Sequence, residues 1–399
     1  MHIIGGTYLE HVNEPYWHEI FGSGLRAASI ISSVCNSITL STYLSEDEAL
    51  VVEAKSEIFG FHLMPKKREQ SISFSYFHGF SRPHISPHIS QIQRGTPIFI
   101  DTDECILRFG MVEGDAVVRG KTVVYDPQSA FLPAPFHENG SRANRLAIIL
   151  NAGEAFMLTK ERSVSSAGEV LAGNTGAEVV IIKRGPLGCI IFSKKEMTSI
   201  HAYRTARVFP IGSGDVFAAT FAHYWGEKGL DANEAADHAS MATAHFCNFQ
   251  NIPLPKNYKD EANFPAVTGA VEGKQVYLAG PFFTTAQRWL IEECLQSLQR
   301  AGVKVFSPYH SVGIGSGDDI YLLDIEGLEK SDVIFACLDG LDSGTIYEVG
   351  YAKAIGKQVV VFVQNESNEN LKMITGAGCR ICSDLVTALY EVVWTLMGL

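Results

Sequence analysis

Apolar residues in the last third of the chain fall in short blocks, each followed by a helical repeat. Lys274-Gln-Val-Tyr-Leu-Ala-Gly280 reads as a strand that Pro281 to Phe283 bring to an end. From Ala286 to Ala301, Leu290, Ile291, Cys294, Leu295 and Leu298 recur at helical spacing. Val303 to Phe306 predicts a second strand and Asp332 to Leu338 a third, with a helix over Asp324 to Lys330 before it. Glu348 to Ile355 predicts a helix, Gln358 to Val363 a fourth strand, and Leu385 to Met397 an amphipathic helix suited to packing on a neighbour. Continuous apolar strands alternating with amphipathic helices predict a parallel sheet covered on both faces. Sites in such sheets lie beyond the C-terminal ends of the strands. Tyr277, Asp324, Asp342 and Glu348 fall near those ends.

Chemistry concentrates in Asp339-Gly-Leu-Asp-Ser-Gly-Thr-Ile-Tyr-Glu-Val-Gly-Tyr-Ala352. Asp342 stands in a tight Asp-Ser-Gly turn, and Glu348 follows on the first turn of the expected helix. Backbone N–H groups at a helix start favour an ionised carboxylate. An ionised Glu beside a second acid suits attack at a sugar anomeric carbon. Cleaving an N-glycosidic bond builds positive charge on the sugar, which a carboxylate captures as an ester while another acid protonates the departing base. Two neighbouring acids also push one pKa upward. The same residues fit a plain helix cap followed by solvated acids.

Three segments together resemble the nucleoside 2-deoxyribosyltransferase family over roughly Val276 to Val363. They are Tyr-Leu-Ala-Gly-Pro-Phe-Phe at 277–283, Asp324-Ile-Glu-Gly-Leu-Glu-Lys-Ser-Asp332, and Asp342 to Ala352. The resemblance implies Glu348 as nucleophile, Asp342 as an acid near the base, and Asp324 and Tyr277 as groups orienting the sugar and the nucleophile. It implies Gly280, Phe283, Ser343 and Gly344 at the substrate. The fold also includes N-glycoside hydrolases acting on nucleoside 5′-monophosphates, with serines and an arginine at the phosphate; Ser343, Ser316 and Arg288 are the candidate counterparts. Because that family completes its sites across subunits, the resemblance implies a homo-oligomer.

A second motif lies in Val208-Phe-Pro-Ile-Gly-Ser-Gly-Asp-Val-Phe-Ala-Ala-Thr-Phe221. Gly212, Ser213 and Gly214 can turn successive N–H groups toward one point, at the N-terminus of the apolar helix that follows, which makes an anion hole for a phosphoryl group. Asp215 at its edge can take a proton from an attacking hydroxyl. Gly212 to Phe221 resembles the signature of the ribokinase-like (PfkB) sugar and nucleoside kinases. Val179 to Phe192 resembles their strand–turn–strand beside the nucleotide, implying Lys183 and Gly185 there. Val123-Val-Tyr-Asp-Pro-Gln128 is similar to their central strand, and Asn151-Ala-Gly-Glu154 to the segment acting on the Mg–phosphate network. Ile3 to Glu10 is similar to a first strand ending in a sugar-binding acid, here Glu10. The resemblance covers about Met1 to Gln250 and implies ATP and Mg²⁺ as cofactors. The family's Gly-Gly-x-x-x-Asn-x-Ala motif appears only as Gly22-Ser-Gly-Leu-Arg-Ala-Ala28, without its Asn. Phe209 and Pro210 replace the acid before the glycine turn. The segment from Arg68 to Arg94, with Phe74, Tyr76, Phe77, His78 and Phe80, is assigned to the acceptor side or a lid.

With 399 residues the chain accommodates two or three domains. The prolines and charges from Ile252 to Pro265 mark an exposed linker. The expected organisation is a ribokinase-like α/β/α domain over 1–252, a linker over 253–273 and a flavodoxin/Rossmann-like parallel-sheet domain over 274–399. A net charge of -12 without a basic cluster argues against a nucleic-acid polymer as partner. No apolar run approaches the ~20 residues of a membrane span, and the N-terminus lacks the pattern of a signal peptide. Eight scattered cysteines read as reduced thiols of a cytoplasmic protein, and Cys379-Arg-Ile-Cys382 lacks the second pair that a zinc site wants. These features predict an enzyme of nucleoside metabolism. Its C-terminal domain cleaves or exchanges an N-glycosidic bond, and its N-terminal domain phosphorylates a nucleoside or sugar. The alternative is a non-catalytic nucleoside or nucleotide sensor at the N-terminus.

Overall fold

The computed structural model describes residues 1–129, 133–193, 196–261, 263–313 and 317–398, the side chains of 317–320 excepted. The chain divides into two compact units, Met1–Ala266 and Val267–Leu399. Most described residues of 253–273, expected as an exposed linker, are exposed, but four apolar ones are buried. Leu254 and Tyr258 are fully buried in the core of the N-terminal unit, and Val267 and Val271 are buried in the C-terminal one. Its charges suggested solvent, but the apolar residues between them find cores on either side.

The N-terminal unit is built on a nine-stranded sheet. In spatial order the strands are Glu196–Ile200, Cys189–Ser193, Val179–Lys183, Arg142–Asn151, Ala116–Asp126, Ile98–Phe109, His2–Ile4, Thr39–Leu44 and His62–Lys67. All pair in parallel except the first two, which close one edge as antiparallel hairpins. Successive residues of a strand point to opposite faces, and the core divides accordingly. Ile3, Val124, Ile149 and Ile181 join the helices Gly22–Ile31, Ser213–Phe221 and Ala232–Phe249 in one cluster. Ile4, Val123, Ile148 and Ile182 join Ala152–Thr159 and Val164–Asn174 in the other. A smaller four-stranded sheet pairs Trp17–Ile20, Leu9–Glu14, Ser73–His78 and His84–Ser86 in that order. Glu10 therefore lies in this small sheet, not at the end of the first strand of the large one, because the chain leaves that strand after Ile4.

The C-terminal unit holds five parallel strands in the order Lys304–Phe306, Gln275–Ala279, Val333–Cys337, Gln358–Phe362 and Arg380–Cys382. Numbered along the chain this is 2-1-3-4-5, a doubly wound order whose switch point lies between the first and third strands. Tyr277, Ile334 and Val361 face a core shared with Leu328, Val349 and Ala352. The helix expected to start at Glu348 spans Ser343–Ala354, and the one expected from Asp324 spans Gly317–Lys330. The last helix, Leu385–Leu396, is not a free amphipathic face. Ten of its twelve residues are buried, including Glu391, whose carboxylate meets Arg380 Nε at 3.2 Å.

Candidate active sites

In the C-terminal unit the switch point brings two distant residues together. Tyr277 is fully buried in the strand Gln275–Ala279, its ring stacked on Phe306 with centroids 5.5 Å apart. Its hydroxyl donates to Glu348 Oε1 at 2.5 Å. Asp342 caps the helix that carries Glu348, its Oδ2 accepting from Thr345 N at 2.9 Å and Thr345 Oγ1 at 3.0 Å. This shifts the helix start five residues upstream of the expected one and puts Glu348 on the second turn, past the free N–H groups. The expectation that those groups favour its ionised form is therefore corrected. Burial pushes the Glu348 carboxyl up to about 7, with Asp324 and Asp342 adding to the rise and the Tyr277 hydroxyl opposing it. Burial also raises Asp324 to about 6, and its Oδ1 is buried with no hydrogen-bond partner. The pair of acids that sequence reasoning brings together does interact, but Asp342 spends one oxygen on the cap.

The other sequence-predicted residues of this unit take different roles. Gly280 makes room rather than contact: a Cβ there meets Ile291 Cδ1 at 2.7 Å and Cys337 Cβ at 3.1 Å. Phe283 is 68% exposed, beside Phe282 at 5.5 Å between centroids. Ser343, Gly344 and Arg288 are exposed, and Ser316 lies outside the described residues. All eight cysteines are free, including Cys379 and Cys382.

In the N-terminal unit a cavity of about 810 Å³ gathers Glu10, Asp126, Glu154, Lys183, Gly185 and the turn Gly212 to Asp215. Asn151 and Glu154 form a reciprocal helix cap, Asn151 Oδ1 accepting from Glu154 N at 2.9 Å and Glu154 Oε2 from Asn151 N at 2.8 Å. Lys183 Nζ donates to Asp126 Oδ2 at 2.7 Å. Burial and then Asp126 raise Glu154 to about 7, and burial raises Asp126 against the pull of Lys183. Mg²⁺ takes one or two protein carboxylates and completes its shell with phosphates and water. Two buried acids in one cavity, Glu154 raised in part by the charge of Asp126, fit that demand, so Asp126 and Glu154 are the residues that would hold it. Phe74, Tyr76, Ile85 and Arg94, from the segment assigned to the acceptor side, also line the cavity.

Sequence reasoning missed the residue at the centre. Counting back from Ala28, Arg26 stands at the register of the missing Asn. It is 1% exposed, and its Nη1 donates to Asp215 Oδ2 at 2.8 Å while its Nη2 pairs with Glu10 Oε2. Burial works against its charge, but the two acids more than offset this and hold the guanidinium above its usual range. Gln128 Nε2 donates to the other oxygen of Asp215. A single Arg inside the small and apolar run Gly22 to Ile31 was the available signal, since a charge there must find buried partners.

The family described as pfkB family carbohydrate kinase matches residues 120–247, and that described as nucleoside 2-deoxyribosyltransferase matches 276–382. The chain thus carries domains of two enzyme families in one polypeptide. Its N-terminal unit is an α/β/α domain that carries the pfkB match, and its C-terminal unit is a parallel-sheet domain of flavodoxin/Rossmann type. No curated protein matches the chain. Among solved structures, it is similar to a ribokinase from Thermotoga maritima, at 15% identity over 65% of this chain and 97% of that one, with a TM-score of 0.46. It is similar to a pyrophosphate-dependent kinase in the ribokinase family, solved with a pyrophosphate analog and myo-inositol, at 14% identity over 66% and 100% with a TM-score of 0.45. A fructokinase from Vibrio cholerae O395 gives 11%, 63%, 94% and 0.46 in the same order. No described helix is long and apolar enough to cross a membrane.

Proposed function

We propose that the C-terminal domain cleaves or transfers the N-glycosidic bond of a nucleoside or nucleoside 5′-monophosphate, with Glu348 as nucleophile. The observation that carries this is the Tyr277 hydroxyl on the Glu348 carboxylate at the switch point of the sheet. The phenol holds one oxygen, fixing the carboxylate's orientation and leaving the second for the anomeric carbon. Attack forms a glycosyl ester as the bond to the base breaks, and water or another base then releases the sugar. Asp324 has an unpartnered buried oxygen suited to a sugar hydroxyl, and its raised pKa lets it carry a proton near pH 6. Asp342 supports the helix and contributes charge; Gly280, Phe283, Ser343 and Gly344 border the substrate. Incubation with a panel of nucleosides and monophosphates tests this: base release by the wild type that vanishes in Glu348→Ala is expected, and near-normal release by that variant refutes it.

For the N-terminal domain the proposed ligand is Mg-ATP, with Gly212 to Gly214 and Lys183 at its phosphates, Gly185 beside the nucleotide, Asp126 and Glu154 toward the metal, and Asn151 supporting Glu154 through the reciprocal cap. ATP supplies the phosphoryl group when bound. Asp215 is then the base for a nucleoside or sugar hydroxyl and Glu10 the acid that orients it. A second reading, in which this domain binds its ligand without transferring phosphate, is favoured by one observation: Arg26 and Gln128 already occupy both oxygens of Asp215.

A further inference from the structure

We infer that Arg26 is a built-in occupant of the acceptor subsite, so that the N-terminal domain binds an adenine nucleotide but is closed to neutral sugars and nucleosides. This rests on the second of the two readings above, in which the cavity binds a nucleotide without transferring its phosphoryl group, and it sets aside the transfer roles of Asp215 and Glu10 in the unaltered protein. Three independent features support it. Arg26 holds the register at which the related kinases carry an amide, and a longer, charged side chain fills the space in front of it. The guanidinium is clamped from both ends by Glu10 and Asp215, the acids expected to hold and deprotonate an acceptor hydroxyl. Glu10 is itself fully engaged, its Oε1 accepting from Gly22 N at 3.1 Å and its Oε2 also from Trp17 Nε1 at 3.2 Å. Finally, Gly212, at φ +80°, leaves a niche in which the guanidinium lies; a Cβ there would stand 2.2 Å from Arg26 Nε. The glycine turn that forms the anion hole therefore also seats the arginine. At the phosphate end, Lys183, Ser213 and Gly214 line the cavity, with Lys183 Nζ held by Asp126 Oδ2 at 2.7 Å.

Replacing Arg26 with the amide is the direct test. In Arg26→Asn the shortened side chain opens the subsite, and an acceptor hydroxyl can give its proton to Asp215 as its oxygen bonds to the γ-phosphorus and the bond to ADP breaks. Acceptor-dependent ADP formation is measured for wild type and variant with nucleosides, ribose and myo-inositol. The wild type is expected at background and the variant at least about tenfold above it. A folded variant with no gain, or a wild type that already phosphorylates one of these acceptors, overturns the inference. Because the substitution leaves two buried acids without a cation, calorimetry on the unaltered protein supplies a second, independent test. A non-hydrolysable ATP analogue with Mg²⁺ is expected to bind, whereas the same acceptors are expected not to bind beside it. Acceptor binding at sub-millimolar concentration overturns the role of Arg26 alone. Failure of the analogue to bind overturns the nucleotide-site reading and this inference with it.

Discussion

Replacing Tyr277 with Phe should move the pH dependence of base release upward. The hydroxyl lies 2.5 Å from Glu348 Oε1 and is the one interaction that lowers this carboxyl against burial and the neighbouring acids. A hydrogen bond to a charged group contributes about 1.5–3 kcal/mol. At 1.36 kcal/mol per pH unit, its loss raises the Glu348 pKa by roughly 1–2 units. On the proposed mechanism the nucleophile must be ionised, so kcat/KM should rise with pH as Glu348 loses its proton, near 7 in the wild type. In Tyr277→Phe that ascending limb should sit near pH 8–9, costing about 5- to 50-fold at pH 7 and recovering in alkali. The ring and its stacking on Phe306 are kept, so the fold should survive. The assay is base release from a responsive nucleoside between pH 5 and 10. A limb that stays in place, or moves to lower pH, refutes the assignment of the phenol as the group that holds Glu348 ionised.

Glu348→Gln should lower base release by about 10³ or more yet raise the melting temperature of the C-terminal unit at pH 8. The folded pKa, about 7, exceeds the ordinary 4.5, so the folded state binds more protons than the unfolded one between those values and stability falls as pH rises through them. Equal melting temperatures of the two proteins at pH 8 would contradict this. Asp324→Asn removes a charge that raises Glu348, so its ascending limb should shift to lower pH, opposite to Tyr277→Phe, even as the maximal rate drops. Gly280→Ala should destabilise the C-terminal unit by about 1–3 kcal/mol in thermal melts, because the added methyl presses on Ile291 and Cys337.

Strands 275–279, 333–337 and 358–362 are legible in the sequence because each is a continuous apolar run, the mark of a strand buried on both faces. The helix start is legible only as an alternative reading, the cap at Asp342, which the structure selects: Thr345 N and Oγ1 both donate to Asp342 Oδ2. Pairing of Tyr277 with Glu348, 71 positions apart, follows from the strand order, which no local pattern reveals. In the N-terminal unit Asp215, Lys183 and Glu154 line one cavity, while Arg26 shows in the sequence as a missing Asn and as a lone charge in an apolar run. A missing Asn says that a contact is lost; that its replacement grips two acids depends on the small sheet that carries Glu10 to it.

The strand bearing Tyr277 is hydrogen-bonded on both sides, and Asp342 fastens the start of the helix bearing Glu348. The spacing of phenol and carboxylate is thus set by the lattice of the sheet and not by an arriving ligand. Under the proposed function the reacting group is aimed before any substrate enters, so the loss of freedom that aiming requires would occur once, during folding, and not at every turnover. In this domain the amides of residues 276–279 and 333–336 should be the slowest to exchange with solvent, and substrate should slow them little further.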